Sequence, residues 1–237
     1  LSDLKVVLLG GRNSGKSEVG NVLLGREEFV IKERTTCSMR VGEVAGGWVT
    51  VVNTPGWWCD FNVQDTPQLV KREIVRSVCL CIPRPHVFLI VIKVRSGFCE
   101  KRRRAVEEHL ALLSERVWSH CMVVFTCRDW LGDTTIEQRI ESEGEPLQRL
   151  VEKCGNRYHV LDSKSQGTGA QVTELLEKIE EMLVEERLEV LQRGEQVGKC
   201  LTVMQEPEMD GVMRQGEGIE VPAANYTDAP FHDGKQD

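Results

Sequence analysis

The chain has 237 residues, 41% of them apolar, enough to bury a core in one α/β domain plus a tail or in two small domains. Its formal charge of −7 argues against a nucleic-acid-binding surface, and its longest apolar run, residues 87–92, is far too short to span a bilayer. The nine cysteines are odd in number and show no zinc-finger spacing, so they are expected to be reduced thiols of a cytoplasmic protein.

Residues 5–9 are a β-rich apolar run followed by a glycine-rich turn, and residues 17–24 read as a helix. Residues 41–44 and 48–52 look like two strands of a hairpin around Gly46-Gly47. Between residues 67 and 80, Leu69, Val70, Ile74 and Val78 fall near helical spacing, with Pro67 at the helix start. Residues 87–94 are almost continuously β-branched and aromatic, the composition of a central parallel strand covered on both faces. A helix is expected over 100–113, with Val106, Leu110 and Leu113 on one face, and a buried strand over 121–125. Residues 135–154 read as a helix with a break near Gly144 and Pro146, and residues 158–161 as a short last strand. Val172, Leu175, Leu176, Ile179, Met182 and Leu183 form the apolar stripe of a final helix. Strands alternating with helices predict an α/β fold with a doubly wound, mostly parallel sheet in a three-layer sandwich. From residue 193 onward the pattern dissolves and four basic residues face nine acidic ones. Residues 1–192 are therefore expected to form the folded domain, and 193–237 an acidic disordered tail or linker.

Gly10-Gly11-Arg12-Asn13-Ser14-Gly15-Lys16-Ser17 matches the phosphate-binding loop of P-loop NTPases. Glycines let backbone N–H groups turn inward around phosphates, Lys16 supplies a point charge, the Ser17 hydroxyl ligates magnesium, and the helix start adds partial positive charge. The whole stretch from Gly11 to Ser17 is the expected phosphate site. Downstream, Asn53-Thr54-Pro55-Gly56 stands where a strand ending in D-x-x-G is expected. Asn53 keeps an acceptor oxygen for a magnesium-bound water but lacks the charge, a loss of about 1 kcal/mol in metal affinity. Gly56 keeps an N–H for a terminal phosphate. Between these motifs lie Thr35 and Thr36; either can serve as the switch threonine that reaches metal and phosphate, with Thr36 the better placed.

The strand over 121–125 ends in Thr126-Cys127-Arg128-Asp129. A carboxylate at such a strand end can accept both the N1–H and the N2 amino protons of guanine, a donor pair adenine lacks, and can discriminate by about 10⁴-fold. Asp162 and Ser163, after the next strand, can close over the base edge with backbone N–H groups.

These motifs, together with Gly20-Asn21, Leu24-Gly25, Thr36-Cys37, Trp57 after Gly56, and Pro85-His86 before residues 87–92, resemble the GTPases of immunity-associated proteins, the AIG-type G domains, with the nearest likeness to fish members. The resemblance covers roughly residues 4–190. It implies binding of GTP or GDP with Mg2+, low intrinsic hydrolysis, and homo-oligomer formation through the G domain when GTP is bound. It assigns Lys16 and Ser17 to phosphate and magnesium, Thr36 to the terminal phosphate, and Asp129 to guanine. Three departures stand out: Asn53 for the usual aspartate, Cys127 for a basic residue beside the base, and Asp162-Ser163 where asparagines are usual.

No catalytic residue is assigned. Trp57 occupies the place from which a glutamine would orient water, which sets monomer hydrolysis at no more than about 10⁻⁴ to 10⁻² per second. Trp57 and Trp58 read either as a switch that exposes aromatics or as core packing. Residues 101–104 form a basic run read as a solvated face, and His86 as either a site group or a structural histidine. Two functional readings remain open, a slow GTPase switch that assembles with GTP bound and a degenerate scaffold that holds nucleotide without significant turnover.

Overall fold

The computed structural model describes residues 3–32, 35–162 and 168–192. In chain order the regular elements are β1 (Asp3–Leu9), α1 (Lys16–Leu24), β2 (Ser38–Val44), β3 (Gly47–Asn53), α2 (Gln68–Cys79), β4 (Val87–Lys93), α3 (Glu100–Ala111), β5 (Cys121–Thr126), α4 (Ile136–Glu143), α5 (Glu145–Lys153), β6 (Tyr158–Val160) and α6 (Thr168–Gln192). Short 3-10 turns at Glu115–His120 and Arg128–Trp130, absent from the sequence reading, connect α3 to β5 and follow β5.

The six strands lie in the order β2-β3-β1-β4-β5-β6, with β2 antiparallel to β3 and all other neighbours parallel. Every residue of β4 except Lys93 is buried. The reason is the two-sided cover that parallel sheets require. Phe88, Ile90 and Ile92 face one apolar cluster with Val70, Ile74, Val106, Leu110, Leu147 and Leu150 from α2, α3 and α5. Val87, Leu89 and Val91 face the other, with Val19 and Leu23 of α1 and Val172, Leu175, Ile179 and Met182 of α6. The predicted final-helix stripe is thus the face that closes the second layer.

Two sequence expectations shift. The hairpin turn is Ala45-Gly46, not Gly46-Gly47: Val44 pairs with Gly47, and both turn residues have positive φ, 50° and 78°. A two-residue loop with that backbone matches the right-handed twist of the strands. The helix expected over 135–154 is two helices, because Gly144 (φ 84°, ψ −167°) leaves helical space and Pro146 opens the next one. Thr135 caps α4 in a reciprocal capping box with Gln138.

His86 lies at the far end of the sheet. It precedes β4, which runs parallel to β1, and its Nδ1 accepts the Lys5 amide while its own amide donates to the Lys5 carbonyl. The phosphate loop follows the opposite end of β1, so the site alternative for His86 is set aside. The basic run is tied down by ion pairs: Arg103 to Glu100 and Glu107, Arg104 to Glu100, and Arg102 to Asp60.

His109 is fully buried. Its Nδ1 is 2.6 Å from the Ala105 carbonyl, which can only accept, so Nδ1 carries the proton and Nε2 accepts the Thr66 hydroxyl at 2.7 Å. Burial is the leading cause that lowers the pKa of His109, as it is for His86, His120 and His159. Below the ordinary value of about 6.5 the unfolded chain therefore takes up protons that the folded chain refuses. Stability is expected to fall as pH drops from 7.5 to 5.5, with a slope of up to about 1.4 kcal/mol per pH unit for each such proton. Urea unfolding at the two pH values checks this; a flat or rising stability would contradict it.

Candidate functional site

The site lies at the carboxyl ends of β1, β3 and β4, where the loops of a parallel sheet converge. Gly10 follows β1 with φ 153°; a side chain there would sit 2.7 Å from the Val91 carbonyl oxygen on β4 and 2.8 Å from the Ser14 hydroxyl. Asn13 (φ 57°) and Gly15 (φ 100°) complete the turn, and α1 begins at Lys16. Lys16 is 6% exposed and its ammonium donates to the carbonyls of Gly10 (3.2 Å) and Gly11 (2.8 Å). The cleft is lined by residues 13–18, Ile31, Lys32, Thr36, Ser38, Asn53, Thr54 and Lys93.

The loop after β3 packs against this turn. The Arg12 amide donates to the Trp57 carbonyl at 2.7 Å, and Gly11 and Trp57 form a parallel bridge. Gly56 approaches so closely that a Cβ on it would lie 2.7 Å from the Arg12 nitrogen and 2.8 Å from Lys16 Nζ. Gly11 and Arg12 therefore turn toward the 56–59 segment rather than into the cleft, and the Arg12 guanidinium sits 4.3 Å over the Trp58 ring. Trp57 is 2% exposed and stacks on His109 at 4.4 Å, which is the core-packing alternative of the two read from sequence, whereas Trp58 is half exposed.

Asn53 donates through Nδ2 to the Ser17 hydroxyl at 3.0 Å, and its buried Oδ1 has no hydrogen-bond partner among the described residues. Ser17, Asn53 and Thr36 share the cleft wall. These are neutral oxygens, and no cluster of three or more acidic, histidine or cysteine side chains that would hold a metal exists among the described residues. Such a set suits a hard cation that keeps waters and arrives with phosphates, and the orphaned Asn53 oxygen fits a metal-bound water. Thr35 is exposed and does not line the cleft.

On the β5 side, the Thr126 hydroxyl donates to the Ser14 carbonyl at 2.9 Å and so ties the second loop to the first. Cys127 turns the chain with φ 63°, and Asp129 stands exposed on the Arg128–Trp130 turn. The Asp162 amide donates to the Gln171 side chain at 2.9 Å. Ser163 lies outside the described residues. Sequence reasoning missed Lys93 and Lys32; Lys93 had a signal, as the single polar residue of the apolar strand β4, at its carboxyl end.

A mostly parallel sheet, a glycine turn folded onto a buried lysine, and a helix opening at that lysine define the P-loop G-domain fold. Toc33 from Arabidopsis thaliana, solved in complex with GDP and Mg2+, superposes with a TM-score of 0.63 at 14% identity, covering 79% of this chain and 86% of that one. Era in complex with MgGDPNP and ribosomal RNA superposes with a TM-score of 0.52 at 16% identity, covering 75% and 57%. The chain belongs to the AIG1 family, whose model matches residues 4–205. It is similar to GTPase IMAP family member 8 of Homo sapiens, 29% identical over 77% of this chain and 28% of that protein. Immune-associated nucleotide-binding protein 9 of Arabidopsis thaliana is 30% identical over 75% of this chain and 54% of that protein. The chain thus spans between about a quarter and about half of these relatives.

The tight approach of Gly56 to the loop has a direct consequence. Gly56→Ala is expected to destabilise the domain by about 1–3 kcal/mol through overpacking. Gly97→Ala, with none of the described residues within 4 Å of the added carbon, is expected to leave stability nearly unchanged. Urea unfolding of both variants checks the pair, and equal effects would contradict the packing account.

Proposed function

We propose that this AIG1 domain binds GTP or GDP with Mg2+ and works as a slow switch or assembly module. The observation that carries the reading is the Gly10–Ser17 turn with Lys16 buried on it and Thr126 bonded to Ser14, so that one cradle adjoins both a phosphate cleft and the Asp129 loop. In this reading the amides of residues 13–17 and the Lys16 ammonium hold phosphates, with Gly56 beside them; Gly11 and Arg12 shape the turn from behind. Ser17 and Asn53 would hold magnesium, with Thr36 joining them when a terminal phosphate is bound, and the ion would neutralise charge on the phosphate oxygens. Asp129 reads the guanine edge, and Asp162 and Ser163 close over it.

Support for slow turnover comes from Trp57, whose ring is packed on His109 and offers no group to orient an attacking water. Self-association with GTP bound is supported by the half-exposed Trp58 beside the cleft and by the resemblance to a solved chloroplast translocon component for which dimerization is described as important for GTPase activity. No helix among the described residues is long and apolar enough to cross a membrane. We assign the chain to the cytoplasm, a reading supported by eight free cysteines among the described residues.

Calorimetric titration with GDP, GTP and ATP, with and without magnesium, tests the reading. GDP and GTP are expected to bind and ATP not. Lys16→Ala is expected to weaken GDP about 10- to 100-fold, the worth of one charge-assisted contact. Equal binding of ATP and GTP would contradict the role given to Asp129.

Asn53 favours a second reading, a scaffold that holds nucleotide without significant turnover, because its amide carries no charge toward the metal. Asn53→Asp is expected to tighten magnesium-dependent binding of a GTP analogue about five-fold, equivalent to ~1 kcal/mol. Single-turnover hydrolysis of the native chain, measured alongside oligomer size, separates the two readings. Turnover well above about 10⁻² per second by the monomer would contradict both.

A further inference from the structure

Glu73 of α2 is 7% exposed, and a carboxylate so buried is costly unless it is fully engaged. Its engagement is unusual for a helix residue. Oε2 accepts the backbone amide of Cys37 at 2.6 Å, a contact across 36 positions of chain. Arg76, one turn along α2, donates to both carboxylate oxygens at 3.2 and 3.4 Å. The Cys37 thiol in turn donates to the Glu73 carbonyl at 3.0 Å, so side chain and backbone are joined twice. Burial alone would raise the carboxyl's pKa, but the Cys37 amide and Arg76 hold it below the ordinary carboxylate range. The group is therefore an anion clamped to an amide.

The clamped segment is the loop that carries Thr36. Thr36 is exposed and lines the cleft, and Cys37 is the next residue, directly before β2. The helix that holds the clamp is the one reached from the Asn53–Gly56 loop through residues 57–67. Glu73 thereby ties the loop that carries Thr36 to α2, the helix that follows the Gly56 loop in the chain.

We propose that Glu73 is a positioning residue that fixes Thr36 through the Cys37 amide and so sets the preference of the site for a triphosphate over a diphosphate; this rests on the proposed nucleotide-binding function. In the proposed site Thr36 engages the metal only together with a terminal phosphate, so losing the clamp weakens triphosphate binding and spares diphosphate binding. A purely architectural role would affect both alike.

The test is the affinity of the intact chain for GDP and for a non-hydrolysable GTP analogue, both with magnesium. Glu73→Ala is expected to weaken the analogue about ten-fold or more, the loss of one charge-assisted hydrogen bond, with GDP within about two-fold of the native value. Glu73→Gln keeps an acceptor oxygen and is expected to retain most of the preference, and Cys37→Ala keeps the amide and is expected to retain it too. Equal weakening of both ligands, or no change in either, would overturn the proposal. If Glu73→Ala does not fold, Arg76→Ala reads the same quantity: a loss of about three-fold for the analogue alone supports the clamp, and none refutes it. A native chain that binds neither ligand refutes the nucleotide reading itself, an outcome distinct from failure of the clamp alone.

Discussion

The packing of one glycine turn between two neighbouring strands is the constraint on which the site depends. β1 lies between β3 and β4, so the turn after it is enclosed by the carboxyl ends of those strands and the loops that leave them. The Val91 carbonyl stands where a side chain on Gly10 would have to go, and the Trp57 carbonyl takes the Arg12 amide. Thr126, one strand further on, takes the Ser14 carbonyl. Each contact is modest alone, about 1 kcal/mol. Together they hold residues 13–17 in a conformation that an isolated loop would not keep against its backbone entropy. The cradle is thus preformed, which lowers the ordering cost of any anion that enters it.

The same packing limits the chemistry. Trp57 follows Gly56 directly, and its stacking on His109 anchors the 56–59 segment to α3. Where a mobile polar side chain would orient water, the chain has placed a core residue. Asn53 points the same way: its amide satisfies Ser17 and leaves one oxygen open, geometry suited to holding a hydrated cation but without the charge that would bind it tightly. Both features support the proposal that the domain holds a ligand rather than rapidly consuming it.

Much of this was legible in the sequence because the strongest signals are local. The continuous apolar run of β4 required cover on both faces, and the phosphate-loop spacing required a strand before it and a helix after it. Gly144 and Pro146 marked a helix break that the structure places at that point. The hairpin turn moved by one residue because Gly46 and Gly47 both tolerate positive φ, while the pair that adopts it is Ala45 and Gly46. For Trp57 and His86 the residue type allowed two environments, and only topology chose: α3 supplies a stacking partner for one, and the parallel direction of β1 and β4 carries the other to the opposite end of the sheet. The Glu73–Cys37 contact was illegible, since nothing in either local pattern announces a partner 36 residues away.

The central claim is that the turn after β1 and the loop after β5 form one ligand site. Backbone amide resonances of the intact chain, followed during titration with GDP and magnesium, test it most directly. The account predicts that the amides of residues 13–17 and of residues 126–129 move together, saturating at a single affinity. Unmoved amides at millimolar GDP, or two groups that titrate separately, would contradict it.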